Sequence, residues 1–95
     1  MSLPPRIVLH SPVGDHRALE AFVERCLRDG VRLIAIIGEG AKALEEEVDW
    51  LVIGDGADKS RFLVTSSHPN ESLQNVMEFA FGWHCEREGL VEVRL

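Results

Sequence analysis

The chain contains four short runs of apolar residues, and each run stops at a cluster of small, polar or turn-forming residues. The runs cover residues 7–9, 33–37, 51–53 and 62–64. Buried strands rich in Val, Ile and Leu that end in such loops are typical of a mostly parallel sheet covered by helices. Ligands of such sheets bind at the carboxyl ends of the strands. The pattern therefore predicts where a site would lie, but not what that site does.

Helical spacing fills most intervals between these runs, so the sequence predicts a single α/β domain over residues 1–95. Strands are expected at residues 6–10, 31–37, 50–53, 61–65 and 91–95, and helices from near Asp15 to Gly30, from Gly40, and from Pro69 to about Glu88. The element order βαβαββαβ favours a mostly parallel sheet of about five strands with helices on both faces. Such a fold is flavodoxin-like or a reduced Rossmann-like variant, and its second strand is expected to be central.

Only seven residues separate the third and fourth predicted strands, which is too short for an ordinary helical crossover. Either these strands are antiparallel, or the chain crosses by a bare loop to a non-adjacent position, which we favour. The predicted core lies between this sheet and its helices. It comprises Val8, Leu19, Phe22, Leu33, Ala35, Ile37, Leu44, Leu51, Ile53, Leu63, Val76 and Ala80.

Charge and composition exclude several classes of function. The formal net charge is -6, and the ten Lys and Arg side chains are dispersed along the chain. Binding to nucleic acid or to an anionic membrane surface requires a local basic stripe, so neither is expected. No apolar run approaches the roughly 20 residues of a membrane span, and no signal peptide is recognisable. Cys26 and Cys85 lie on separate predicted helices and do not show the paired Cys and His spacing of a zinc site, so we expect a cytoplasmic protein with reduced cysteines and no zinc site.

A glycine-rich segment follows the second strand. Gly38, Gly40 and Ala43 match the pattern G-x-G-x-x-A at the start of a helix, where backbone N–H groups can bind a phosphate. The pattern follows the second strand rather than the first, and Glu39 places a negative charge in the loop. We therefore favour a tight turn that needs glycine for its backbone angles, and keep an anion site at these glycines and Ser67 as the alternative.

Asp55 lies between two glycines after the third predicted strand. A carboxylate there could hold a metal or accept a phosphoryl group, and phospho-receiver domains have an Asp at this point with a Ser or Thr after the fourth strand. Thr65 or Ser66 matches the second position. However, the first strand ends in His10 and Ser11 rather than in an acidic pair, so the magnesium ligands are missing. A solvated turn is the favoured interpretation of Asp55.

The polar segment 65–70 combines hydroxyl groups, an imidazole and a predicted helix start. If the first and fourth strands are parallel, His10, Asp55, Ser66 and His68 would lie at one edge, as metal ligands or as a base with a nucleophile. No third residue completes a catalytic triad at a recognisable spacing. Capping of the helix by Ser67, His68 or Asn70 explains the same residues, and we favour it. The sequence identifies no cofactor and no metal.

The segment 64–80 contains the run Thr-Ser-Ser-His-Pro-Asn-Glu-Ser-Leu at residues 65–73, which leads into an apolar predicted helix. This segment resembles small uncharacterised bacterial α/β proteins of about the same length, a resemblance that implies no activity and no functional residue. The last helix carries a wide apolar arc. We expect a homodimer formed by that helix, through Phe79 or Trp83, and by the edge strand 91–95.

These observations favour a non-enzymatic domain that binds a protein partner or a small anionic ligand. The alternative is a small hydrolase or phosphoryl-transfer enzyme with His10, Asp55, Ser66 and His68 at the strand ends. The two hypotheses differ in whether those four side chains converge.

Overall fold

In the computed structural model, which describes residues 2–95, four strands form one parallel sheet in the order β3-β2-β1-β4. The elements along the chain are β1 (Arg6–His10), α1 (His16–Asp29), β2 (Leu33–Ile37), α2 (Ala41–Ile53), β3 (Val64–His68), α3 (Leu73–Gly82) and β4 (Leu90–Val93). The predicted α/β class and parallel sheet are therefore confirmed. The expected number of about five strands was one too many among the described residues.

The helices cover both faces of the sheet, as predicted. Residues of α1 and α2 pack on one face, and α3 packs on the other. Right-handed crossovers produce this arrangement, because β1, β2 and β3 step across the sheet in one direction and β4 lies on the far side of β1. Strand β2 is buried along its whole length, which confirms the central position expected for it.

Helix α1 illustrates how the local sequence sets an element. Asp15 precedes the helix, and its carboxylate accepts hydrogen bonds from the backbone N–H groups of Arg17 and Ala18. Gly30 ends the helix with a φ of 78°, a left-handed conformation that glycine adopts without strain. Both ends lie where the sequence predicts them.

The predicted strand over residues 50–53 is wrong, because these residues form the last turn of α2. Leu44, Val48 and Val52 are all buried, and their spacing of four residues continues one helical face through the segment. Trp50 and Ile53 lie outside that face, and their side chains are 71% and 48% exposed. An apolar run of only four residues does not distinguish a buried strand from a helical turn.

Because residues 50–53 are helical, the short connection that we predicted between them and the next strand does not exist. The chain crosses from β2 to β3 through residues 38–63, which include α2, and β3 pairs in parallel with β2. Neither the antiparallel pair nor the bare crossover that we considered is present. Of the predicted core, Ile53 is exposed, and Phe22 and Leu51 are only partly buried. The remaining predicted positions are buried, namely Val8, Leu19, Leu33, Ala35, Ile37, Leu44, Leu63, Val76 and Ala80.

Several further boundaries differ from the prediction, including the start of β2 at Leu33, the start of α3 at Leu73 and both ends of β4. Strand β3 begins and ends three residues later than expected, so Ser66 and His68 lie within the strand rather than in the loop after it. Helix α3 ends at Gly82 rather than near Glu88. The segment that follows is fixed by Arg6, a buried side chain whose guanidinium donates hydrogen bonds to carbonyl groups of that segment.

Candidate functional site

Two of the predicted site residues, His10 and His68, lie at the carboxyl ends of their strands and on the same face of the sheet. His10 of β1 pairs in register with Ile37 of β2, and Ile37 pairs with His68 of β3. Side chains in such a row point to the same face, and Ile37 faces α3. Because neighbouring strands lie about 4.8 Å apart, the Cα atoms of the two histidines are about 10 Å apart. The histidines therefore belong to two separate clusters.

The first cluster consists of Ser66, His68 and Glu71, which we name the Ser66 relay. The Oγ atom of Ser66 lies 2.8 Å from Nε2 of His68, and Nδ1 of the same ring makes a short hydrogen bond to Oε2 of Glu71. The His68 side chain is 11% exposed, and its ring contacts that of Phe79 with the centroids 4.9 Å apart. A hydroxyl, an imidazole and a carboxylate thus form one hydrogen-bonded chain.

The second cluster joins β1 to β4. The Nε2 atom of His10 lies 2.6 Å from Oε1 of Glu92, and the Arg94 guanidinium lies 2.9 Å from the same carboxylate oxygen. No hydroxyl group takes part in this cluster among the described residues. We therefore interpret it as a hydrogen-bonded bridge between β1 and β4.

Asp55 lies at the amino ends of the strands, whereas both clusters lie at the carboxyl ends. It follows the end of α2, a helix that starts at the carboxyl end of β2 and returns to the amino ends of the strands. Its Oδ1 atom accepts a hydrogen bond from the backbone N–H of Ala57, and the residue is exposed. The four predicted residues His10, Asp55, Ser66 and His68 therefore do not converge, and only Ser66 and His68 are in hydrogen-bond contact. We expected Asp55 at the carboxyl ends of the strands because we predicted a strand for residues that form the last turn of α2.

The glycine-rich loop is packed against the end of β1. A Cβ atom on Gly38, whose φ is 101°, would lie 2.5 Å from the carbonyl oxygen of Ser11, so no larger residue fits without a shift. The Ser11 hydroxyl donates a hydrogen bond of 2.6 Å to the carbonyl oxygen of Glu39. Gly40 precedes α2 in a left-handed conformation, with a φ of 78°. These contacts account for both glycines without a ligand, and Ser67 lies on β3, opposite Ile36.

The expectation that Ser67, His68 or Asn70 caps the last helix is wrong. Ser72 precedes α3, and its hydroxyl accepts a hydrogen bond from the backbone N–H of Asn75. Capping therefore does not explain the residues of the Ser66 relay. The sequence missed Glu71 because its predicted helix began at Pro69, which assigned the Glu71 carboxylate to the first helical turn. A signal was present, since a strand places Ser66 and His68 on one face and Glu71 follows three residues later.

Strand β3 forms one open edge of the sheet. The backbone N–H of Val64 donates to the carbonyl oxygen of Arg32, so the backbone groups of Val64 point towards β2. Because these directions alternate along a strand, the N–H and C=O groups of Thr65 and Ser67 point away from the sheet. On the α2 face, the Thr65 hydroxyl donates to a carboxylate of Asp49 at 2.6 Å.

Glu45, one turn before Asp49, is the second carboxylate at this edge. Its Oε2 atom lies 3.3 Å from the Thr65 hydroxyl, and its side chain is only 14% exposed. The sequence alone does not indicate this contact, because Glu45 begins a run of three consecutive glutamates. Lys42 lies 3.4 Å from the other oxygen of Glu45, but no basic side chain contacts Asp49 among the described residues.

Two cavities lie at the amino ends of the strands. A cavity of about 360 Å³ is lined by Arg32 and by residues 83–87, and one of about 500 Å³ is lined by residues before β2 and β3. Cys85 lines the first cavity, and its thiol donates to the carbonyl oxygen of Arg87. In contrast, Cys26 is buried, and this burial raises the pKa of its thiol to about 12.

An ion pair near the amino ends of the strands links helix α1 to the segment that follows α2. The Arg61 guanidinium makes two hydrogen bonds of 2.9 and 2.8 Å to the Glu24 carboxylate of α1, and others to the carbonyl oxygens of Leu51 and Val52 in α2. The hydrogen bonds from Arg61 lower the pKa of Glu24 below its ordinary value. Arg61 thus pairs with α1 and satisfies carbonyl groups at the end of α2.

The aromatic side chains of α3 differ in exposure. Phe81 is 74% exposed and Phe79 is 43% exposed, whereas Trp83 is partly buried against the core on the α3 face. Across residues 2–95, no group of three or more His, Cys, Asp or Glu side chains is placed to hold a metal ion. No helix in the same range is long and apolar enough to cross a membrane.

Comparisons with known proteins place the chain in a family. Searches of curated proteins and of solved structures give no match. A family model described as a domain of unknown function, DUF7684, matches residues 6–94, which include every strand and helix of the fold. The chain therefore belongs to the DUF7684 family.

Proposed function

We propose that this domain binds an extended segment of a partner protein, which pairs with β3 and extends the sheet by one strand. The main observation that supports this proposal is the lack of charged residues in the edge strand β3. Its sequence, Val-Thr-Ser-Ser-His, contains no Asp, Glu, Lys or Arg. Proteins normally protect open edges with such charges, and the opposite edge strand β4 does contain Glu92 with Arg94 beside it. The β3 edge lacks this protection.

The outward backbone groups of β3 supply the affinity. Thr65 and Ser67 together present two N–H and two C=O groups, so an added strand can form up to four hydrogen bonds. Each contributes a net free energy of about 0.5–1.5 kcal/mol. Since association and ordering costs oppose this gain, we expect a dissociation constant on the order of 1 mM or weaker for a short peptide.

The side chains that flank the edge specify the partner. On the α2 face, an added strand passes the carboxylates of Asp49 and Glu45, so positively charged side chains are favoured there. On the α3 face it passes Val64 and the exposed part of Phe79, so apolar side chains are favoured there. Because successive strand residues face opposite sides, the preferred segment alternates basic and apolar residues.

A second copy of this chain is a poorer occupant of the same edge. Pairing of β3 with β3 would place the acidic side chains of two α2 helices on the same face of one continuous sheet. The net charge of -6 adds to that repulsion. The homodimer expected from the sequence would use α3 and β4 instead, so it stays a separate proposal and leaves the β3 edge open.

Two finer classifications accompany this proposal. The strand order 3-2-1-4 equals the first four positions of the doubly wound Rossmann order and differs from the flavodoxin order 2-1-3-4-5, which supports the term reduced Rossmann-like. A cytoplasmic location stays a prediction, supported by two free cysteines.

The test uses fluorescently labelled seven-residue peptides and anisotropy titration of the full chain. One peptide alternates Lys and Val, and its matched control alternates Glu and Val. We expect saturable binding of the Lys peptide alone. Ser67→Pro removes an outward N–H group and should abolish binding, whereas Ser67→Ala keeps that group and should bind as the wild type does.

A second pair of variants tests the charge argument. Asp49→Asn should weaken binding of the Lys peptide several-fold, whereas Glu46→Gln, which removes an exposed charge of α2 that does not contact Thr65, should change it little. Circular dichroism establishes that each variant is folded. Equal binding of the Lys and Glu peptides, or full binding by folded Ser67→Pro, would contradict the proposal.

A further inference from the structure

The structure assigns to Ser66 the role of an acylatable nucleophile, with His68 as its general base and Glu71 as the residue that positions His68. Three side chains on adjoining parts of the chain form the hydrogen-bonded series hydroxyl, imidazole, carboxylate. This inference concerns a chemical activity and does not depend on peptide binding at the β3 edge.

When His68 is neutral, the hydrogen bonds of the Ser66 relay run from Ser66 through His68 to Glu71. An ionised carboxylate can only accept hydrogen bonds, so the ring of neutral His68 donates its Nδ1–H to Glu71. The Nε2 atom is then unprotonated and accepts the hydrogen of the Ser66 hydroxyl across 2.8 Å. This is the arrangement in which an imidazole can remove a proton from a serine hydroxyl.

His10 and His16 lack the hydroxyl partner that His68 has. His10 and His16 each contact one carboxylate, at 2.6 Å from Glu92 and Glu47 respectively. Neither ring has a hydroxyl group on its second nitrogen among the contacts of residues 2–95. His16 is also much more exposed, with 65% of its side chain accessible, against 11% for His68.

The surroundings of His68 restrict its motion and leave the hydroxyl reachable. The ring of Phe79 packs against the imidazole at an interplanar angle of 54°. Ser66 lies on an edge strand and is only partly buried, so a substrate can approach from the open side of the sheet. The two cavities described above lie at the amino ends of the strands, so neither of them encloses this hydroxyl. The substrate class is therefore a small carboxylic ester with a good leaving group.

The reaction balances without a cofactor. The Oγ atom of Ser66 forms a bond to the carbonyl carbon while its proton passes to Nε2 of His68. The bond between that carbon and the leaving oxygen breaks, and the leaving oxygen takes the proton from His68. Water then attacks the acyl-Ser66 ester, again losing a proton to Nε2, and the carboxylic acid departs as the Ser66 hydroxyl is restored.

The first test is covalent labelling of the full chain with a biotinylated fluorophosphonate, which forms an Oγ–P bond and releases fluoride. Intact mass should show one adduct, and fragmentation of the digested protein should place it on Ser66. Ser66→Ala should abolish the adduct. His68→Asn should slow labelling about 100-fold, the scale of general-base catalysis. Hydrolysis of p-nitrophenyl acetate should follow the same order.

Two matched controls distinguish the Ser66 relay from general serine or histidine reactivity. Ser60→Ala removes an exposed hydroxyl in the segment before β3, and His16→Gln removes a histidine that is paired with a carboxylate but not with a hydroxyl. Both should label at the wild-type rate. Absence of an adduct on the folded wild type, an adduct on another residue, or unchanged labelling of His68→Asn would each overturn the inference.

Glu71 acts through His68, so its test includes a spectroscopic measurement. Long-range ¹H–¹⁵N spectra of the wild type should show His68 as the Nδ1–H tautomer. Glu71→Gln should populate the other tautomer and slow labelling about tenfold or more, whereas Glu71→Asp should recover part of the rate. A His68 tautomer that is the same in wild type and in Glu71→Gln would contradict the positioning role.

Discussion

Arg6 is the clearest case in which one buried side chain determines the path of a long connection. It begins β1 and is 8% exposed. Its Nε atom donates to the carbonyl oxygen of Trp83 at 2.9 Å, and one terminal nitrogen donates to those of Arg87 and Gly89 at 3.3 Å each. These carbonyl groups belong to the segment that leads from α3 to β4. We therefore predict that replacing Arg6 destabilises the edge of the sheet.

The magnitude follows from the three hydrogen bonds. A hydrogen bond to a charged group contributes about 1.5–3 kcal/mol. In Arg6→Met the carbonyl of half-buried Trp83 loses its donor, whereas Arg87 and Gly89 are exposed, so water can replace part of their loss. Removing a desolvated charge recovers some free energy. The net cost should be about 2 kcal/mol, which lowers the melting temperature of a domain of this size by roughly 8–16 °C.

Urea denaturation followed by circular dichroism measures this cost. Arg6→Lys should recover at most half of the stability, because one ammonium group cannot match the spread of donors on the guanidinium. Arg17→Met, which removes an exposed arginine of α1, should stay within about 0.5 kcal/mol of the wild type. If Arg6→Met also stays within that margin, or if Arg6→Lys equals the wild type, the hydrogen bonds of Arg6 do not stabilise the connection.

Three further outcomes are expected. A thiol reagent should modify Cys85 in the folded protein and Cys26 only after unfolding, because burial raises the Cys26 pKa to about 12; rapid labelling of Cys26 would contradict this. The Glu24 pKa is lowered by Arg61, so the stability from this pair is present above about pH 4.5 and is lost as the pH falls through the folded pKa. Glu24→Gln should therefore lose less stability than the wild type on acidification, as measured by urea midpoints at pH 7 and pH 3. Sedimentation at high micromolar concentration should show a dimer that Phe81→Ser weakens, since Phe81 is the most exposed aromatic side chain of α3; a monomeric wild type would refute the dimer.

The parts of the fold that were predictable are those with redundant signals. Helix α1 has a helical apolar face, a capping Asp15 and a terminal Gly30, and all three agree. Strand β2 is an uninterrupted apolar run, which is typical of a central parallel strand. Residues 50–53 have only one signal, a short apolar run, and it fits a helical turn equally well. Packing of Val48 and Val52 against the core decides the conformation, and sequence alone does not contain that contact.

A single misassigned element also explains the error in the candidate site. In an α/β fold, a loop after a strand lies at the carboxyl ends of the strands, and a loop after a helix lies at their amino ends. Because we predicted a strand at the end of α2, we expected Asp55 near His10 and His68 at the carboxyl ends of the strands. In the folded chain it lies at the amino ends. That error did not affect Ser66 and His68, but ending their strand at residue 65 hid the two-residue repeat that places both side chains on one face of β3. Such a local contact depends on the bounds of one strand, whereas a cluster assembled from several loops requires every preceding element to be correct.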